Sequence, residues 1–93
     1  MSIAKEQIER CVDVARQFGA KRLVLFGSAA ESPDTARDLD LACEGVEGWR
    51  FFEFGARLEE EVRADVDIIP LDADDEFSQY IIETGRVLYE RQP

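Results

Sequence analysis

The residues best suited to chemistry in this sequence of 93 residues are carboxylates in two separate segments. Residues 38–43 alternate polar and apolar side chains, which predicts a half-buried strand with Asp38 and Asp40 on one face. Two carboxylates so close together repel each other unless a cation lies between them. Asp67 supplies a third carboxylate within another apolar segment. Three converging carboxylates can hold two Mg²⁺ ions, so we predict a metal site at Asp38, Asp40 and Asp67.

The alternative is that these acids form an ordinary solvated surface. An Asp-x-Asp pair on a half-exposed strand is often no more than that, and for the pair alone this interpretation stays open. Asp is disfavoured in strands, however, so two in one strand need a reason. Asp65 is a weaker candidate for the third position, because it lies on the same predicted face as Asp67 but nearer the start of the strand.

Gly27 and Ser28 directly follow an apolar run at residues 22–26, which predicts a buried strand. Glycine lets the backbone approach a phosphate closely, and serine adds a hydroxyl and an N–H group. A helix beginning at Ser28 would also favour an anion at its N-terminus. Most Gly-Ser pairs are simple turns, and the Gly-Lys-Ser/Thr of a P-loop is missing here.

The remaining elements are predicted from periodicity and from turn residues. A first helix has Ser2 as its N-cap and ends at Gly19, and a second covers 49–63, with Phe52 on the face predicted to be buried. A third helix starts within the acidic turn Asp72–Asp75 and ends at Gly85, and its Tyr80 is expected in the core or at its edge. A strand covers 64–69, and residues 86–89 form a last strand or an extended tail. The predicted fold class is α/β (α+β): one domain over residues 1–93, with a small mixed sheet flanked by helices.

Composition excludes several classes of function. The absence of histidine removes Ser-His triads and most zinc sites. A net charge of −10 argues against direct nucleic-acid binding, requires cations to accompany a nucleotide, and favours a basic partner. Cys11 and Cys43 are expected to be small buried groups without a disulfide. No apolar run reaches membrane-spanning length, so we expect a cytoplasmic protein.

Taken together, the motifs are more specific than each one alone. The matching residues are Leu25-Phe26-Gly27-Ser28, Asp38-Leu39-Asp40-Leu41, Val66-Asp67-Ile68-Ile69-Pro70-Leu71 and the tail from Ile82 to Glu90. This order of motifs resembles the DNA polymerase β-like nucleotidyltransferase superfamily. Within it, the sequence is most similar to the minimal nucleotidyltransferase (MNT) domains, the small partners of HEPN-domain proteins.

The resemblance implies a nucleotidyltransferase fold and a role for each matched residue. Gly27 and Ser28 would hold the triphosphate, Asp38 and Asp40 would bind two Mg²⁺ ions, and Asp67 would complete the site and help to deprotonate the acceptor. The implied reaction transfers AMP from ATP to a hydroxyl and releases pyrophosphate. Members of the family often act as antitoxins that adenylylate a tyrosine of a HEPN ribonuclease toxin.

One position departs from the family. Members commonly have serine immediately before the first aspartate, where this sequence has Arg37. Arg37 can bind phosphate, pair with Asp38 or Asp40 in partial replacement of a metal, or simply be exposed at the end of a loop. The alternative function is therefore a weak or inactive module that neutralises a HEPN-type partner by complex formation. The sequence also leaves a homo-oligomer open.

Overall fold

The computed structural model describes residues 5–32, 38–72 and 74–92, with Ser28 and Ala29 described by their backbone only. Ser2, the predicted N-cap, and Arg37 lie outside these residues. The helices and strands are α1 (Lys5–Gln17), β1 (Arg22–Phe26), α2 (Ser28–Glu31), β2 (Asp38–Glu44), α3 (Trp49–Val62), β3 (Asp65–Pro70), α4 (Glu76–Thr84) and β4 (Arg86–Glu90).

The four strands form one mixed sheet in the order β3-β2-β1-β4. The central strand β1 is antiparallel to both β2 and β4, whereas β2 and β3 are parallel because α3 carries the chain back between them. The predicted class, a small mixed sheet flanked by helices, is confirmed. The last segment, which the sequence left open as a strand or a tail, is a strand.

Each face of the sheet carries its own hydrophobic core. On one face, α1 and α3 pack against alternate β1 and β2 residues, among them Leu23, Leu25 and Leu41. On the other face, Ile81 of α4 packs with Val24. Because side chains alternate along a strand, Asp38 and Asp40 point to the α4 face. The packing of the first core thus fixes which face carries the acids.

The aromatic residues of α3 and α4 differ from their predicted positions. The face of α3 predicted to be buried included Phe52, but the buried residues are Phe54, Leu58 and Val62, and Phe52 is 72% exposed. Tyr80 was expected in the core or at its edge and is 62% exposed. In both helices the long apolar side chains outnumber the positions that face the sheet.

Cys11 and Cys43 are both buried, as predicted, and both are free thiols. Burial raises the pKa of Cys11 to about 12, and burial together with the charge of Glu44 raises the pKa of Cys43 to about 12. Since only the thiolate reacts, we expect the native protein to resist a thiol reagent such as Ellman's reagent at pH 8. Both thiols should react once guanidinium unfolds the chain. Rapid labelling in native buffer would contradict this burial.

Within the three described ranges, none of the helices combines the length and apolar character that a membrane span requires. The cytoplasmic location and the assignment of residues 1–93 to one domain stay predictions.

Candidate functional site

The parallel pairing of β2 and β3 brings the three candidate carboxylates to one face of the sheet. Asp40 lies directly opposite Asp67, and Asp38 lies opposite Asp65. Neighbouring strands are about 4.8 Å apart, and residues two apart on a strand share a face. Asp40 is half-buried, whereas Asp38 and Asp67 are exposed. The structure therefore groups the predicted residues around one partly covered carboxylate with an exposed one on either side.

Gly27 closes the other side of Asp40. Its φ of +73° lies in the left-handed region, where L side chains are strained, and a Cβ atom built on it would overlap Oδ2 of Asp40. Phe26, the preceding residue, is the register partner of Asp40 on β1. Glycine at this position thus meets two requirements, the turn after β1 and the close approach of the backbone to the carboxylate.

The surroundings of Asp40 raise its pKa above the ordinary value for aspartate. Burial is the largest cause, followed by the negative charges of Asp67 and then of Asp38. Both causes disfavour the ionised carboxylate. The site thus concentrates negative charge, and a cation in it would relieve the repulsion.

The donor set suits Mg²⁺, although the three side chains do not form a preassembled cage. Within residues 5–32, 38–72 and 74–92, no three acidic or thiol groups are gathered closely enough to hold a metal ion. The ion pairs found in those residues join other groups, such as Arg22 to Glu44 and to Glu90, and leave the site acids without a cationic partner there. Hard divalent ions prefer oxygen ligands, and exposed Asp38 and Asp67 can change rotamer without disturbing the core. The residues therefore fit the ion chemically, after side-chain adjustment.

Two further predicted site residues, Ser28 and Arg37, are described only in part or lie outside the described residues. The side chain of Ser28 is not described, but its backbone begins α2 immediately after Gly27. Arg37 precedes β2 and lies outside the described residues, so its assignment as a phosphate ligand stays a prediction.

Sequence reasoning missed a cleft beside Gly27. The cleft has a volume of about 300 Å³ and lies between α2 and α4, and Phe26 and Gly27 are among its lining residues. Phe77 and Tyr80 line it and are 57% and 62% exposed. The structure buries Ser78 and Ile81 of α4, so Phe77 and Tyr80 fall together outside the buried stripe. The signal in the sequence is the three-residue spacing of the two rings, which places them on one face of the helix.

Asp40→Asn should stabilise the protein at pH 7 when divalent ions are removed with EDTA. A carboxylate whose pKa is raised on folding contributes stability below its unfolded pKa and loses it as the pH rises through the folded pKa. At neutral pH the ionised side chain is therefore unfavourable, and a neutral amide removes this penalty. We expect a gain of less than about 1 kcal/mol, because the group is partly exposed.

Thermal unfolding at pH 7 and pH 3 measures this difference. The two proteins should converge at pH 3, where Asp40 is protonated in the wild type. A variant that is less stable than the wild type at pH 7 would contradict the charge repulsion inferred at the site.

The sheet, the Gly27 turn and the paired strand acids define a nucleotidyltransferase-type domain. A sequence model of the family described as "Polymerase beta, Nucleotidyltransferase" matches residues 6–93, and the chain belongs to this family. The family predicted from the sequence motifs is thus confirmed. A search of the curated proteins found no match.

Several solved structures have the same fold. One is a mutant of the toxin–antitoxin MntA–HpeT with two Asp-to-Glu substitutions (TM-score 0.73, 17% identity, 91% of this chain and 74% of that chain). A second is a toxin–antitoxin with AMP-PNP (TM-score 0.72, 20% identity, covering 91% of this chain and 74% of that chain). A third is the tri-AMPylated Shewanella oneidensis HEPN toxin in complex with an MNT antitoxin (TM-score 0.70, 19% identity, covering 95% of this chain and 73% of that chain). At these identities the likeness establishes the fold of the chain.

Proposed function

We propose that this chain is an Mg²⁺-dependent nucleotidyltransferase that transfers AMP from ATP to a hydroxyl of a HEPN-type partner protein, as the antitoxin of a toxin–antitoxin pair. The observation that carries the proposal is the position of Asp40, which faces Asp67 across β2 and β3 and has Gly27 against its carboxylate. Family membership supplies the reaction class. The AMP-PNP complex and the AMPylated HEPN toxin among the structures of the same fold support ATP as donor and a HEPN protein as acceptor.

The reaction forms a bond between the acceptor oxygen and the α-phosphorus and breaks the bond from that phosphorus to the β-bridging oxygen. Pyrophosphate leaves with the bond electrons, and the acceptor hydroxyl loses its proton. Asp38, Asp40 and Asp67 would hold Mg²⁺, which offsets the charge of the triphosphate and of the leaving group.

The side chains around these acids have separate tasks. Gly27, which carries no side chain, lets the triphosphate approach the backbone next to Asp40. Asp67 is exposed on β3, so its carboxylate can take the proton that the acceptor hydroxyl loses. Half-buried Asp40 stays fixed between its neighbours and sets the position of the reacting phosphate.

The test is adduct formation on a HEPN-type partner taken from the neighbouring reading frame. Intact mass spectrometry of the partner should show added AMP when this chain, ATP and Mg²⁺ are all present. An ATP analogue with a methylene group between the α- and β-phosphorus should bind and give no adduct, because its α–β link cannot be broken. An unmodified partner after prolonged incubation would overturn the proposal.

A second candidate function, neutralisation by contact alone, rests on a different surface. Trp49 and Phe52 lie at the start of α3, are 84% and 72% exposed and have ring centroids 6.2 Å apart. Exposed aromatics of this kind are typical of protein interfaces. This candidate predicts a partner complex that survives neutralisation of Asp38, Asp40 and Asp67 together, with toxin activity still blocked. Dissociation of that triple variant from the partner would contradict it.

A further inference from the structure

We infer that the cleft between α2 and α4 binds the nucleoside part of the nucleotide, with the base stacked on Phe77 and Tyr80. The inference rests on the proposed function, because it extends the phosphate site at Gly27 and Asp40 to the other half of the same ligand.

The first argument is position. Gly27 borders the cleft and is also the residue that packs against the carboxylate of Asp40. A ribose and its base are covalently attached to the α-phosphate, so they must lie immediately beside the phosphate site. The cleft meets this condition, and its volume of about 300 Å³ is at the lower end of the range for small-molecule sites.

The second argument is the exposure of two large aromatic side chains. Phe77 and Tyr80 are three positions apart on α4 and therefore share a face, and they are 57% and 62% exposed. The core beneath α4 is completed by Ile81, so neither ring is needed there. Aromatic rings are the usual platform for a nucleobase, since every base has a π-face that can stack on them.

The third argument is charge. Glu31 of α2 lines the cleft, and in a chain with a net charge of −10 this wall repels phosphate. An uncharged nucleoside is the part of a nucleotide that such a cleft accepts. The carboxylate can also accept hydrogen bonds from ribose hydroxyls or from N–H groups of a base. Thr84, at the opposite wall, adds a polar group whose hydroxyl donates to the Tyr80 carbonyl (2.7 Å).

The test compares two ligands of the full chain by calorimetry in the presence of Mg²⁺: α,β-methylene ATP, which has a nucleoside, and inorganic tripolyphosphate, which has none. Tyr80→Ala and Phe77→Ala should each weaken binding of the analogue by about 10-fold, the size of one lost stacking contact, and leave tripolyphosphate binding unchanged. Tyr80→Phe should retain the wild-type affinity. Both rings are exposed, so these variants should unfold near the wild-type temperature.

The matched control is Phe52→Ala, which removes a ring that is 72% exposed from α3, a helix on the opposite face of the sheet. Its surface was assigned to contact with a partner protein, and no partner is present in this measurement. It should bind both ligands as the wild type does. Equal losses in Phe52→Ala and Tyr80→Ala would overturn the inference, as would alanine variants of Phe77 and Tyr80 that bind the analogue normally. Normal analogue binding combined with reduced adduct formation would assign the cleft to the acceptor and also overturn it.

The wild-type protein separates this inference from the proposed function. If it binds tripolyphosphate and the ATP analogue equally well, the cleft contributes nothing and the inference fails while the phosphate site stands. If it binds neither ligand, the proposed function fails, and the inference with it.

Discussion

Asp40→Asn should abolish nucleotidyl transfer, with a rate reduced by roughly 10³-fold or more. Asp40 is the central acid of the three: it is the register partner of Asp67, shares β2 with Asp38 and lies against Gly27. An amide cannot replace the charge of a carboxylate that would hold a divalent ion, and such an ion would supply several kcal/mol of transition-state stabilisation. Adduct formation on the partner, followed by mass spectrometry, measures the loss. The same variant should fold normally, so a loss of activity cannot be assigned to unfolding.

Asp65→Asn is the matched control for this result. Asp65 is also an exposed acid of β3 on the same face, but it lies opposite Asp38, at the start of the strand. We expect it to hold no ion, to act only as an exposed neighbouring charge and to change the rate by less than about 3-fold, because exposed charges contribute little. If Asp65→Asn is as damaging as Asp67→Asn, the third carboxylate of the site has been assigned to the wrong residue.

Gly27→Ala should lower transfer by about 100-fold, the usual penalty for misplacing a reacting group by about 1 Å. The added methyl group overlaps Oδ2 of Asp40, so either the carboxylate or the turn after β1 must move. The left-handed backbone adds a stability loss of about 1–2 kcal/mol. Transfer rates and thermal unfolding of the same preparation measure the two effects.

Gly19→Ala separates the strain of the backbone from the contact with Asp40. Gly19 has φ +72°, almost identical to that of Gly27, but a Cβ atom there meets nothing within 4 Å. It should lose a similar amount of stability and keep its transfer rate. Equal activity losses in the two variants would mean that Gly27 matters through its backbone alone.

Local patterns were sufficient to predict most of the fold. Strand β1 and the start of β2 at Asp38 were predicted correctly, because an apolar run and a polar–apolar alternation are properties of neighbouring residues. Strand β3 was predicted to stop before Pro70 but includes it, since Pro70 pairs with Cys43 on an edge strand where a missing N–H is tolerated. The nature of the last segment was undecided because its partner β1 lies far away in the sequence.

The candidate site also has features that local sequence predicts and features that it does not. Asp38, Asp40 and Asp67 were predicted from spacing and from the family resemblance, and the structure places them on one face of the sheet, as strand alternation and the β2–β3 register require. The contact between Gly27 and Asp40 is formed through space and has no signature in either segment alone. Tyr80 was expected in the core or at its edge because long aromatic side chains are usually buried, whereas the small Ser78 takes the inward position of α4.

The arrangement of the strands also bears on the order in which the domain comes apart. Asp38 and Asp40 are adjacent in the chain, but Asp67 joins them only when β3 docks, and in the described sheet β3 is hydrogen-bonded to β2 alone. The repulsion between Asp40 and Asp67 acts between these two strands. The negative charge that prepares the site for cations therefore also loosens the edge of the sheet, and β3 should be the strand whose amides exchange with solvent first. We therefore expect the loss of β3 from the sheet to separate Asp67 from Asp38 and Asp40 in the same step.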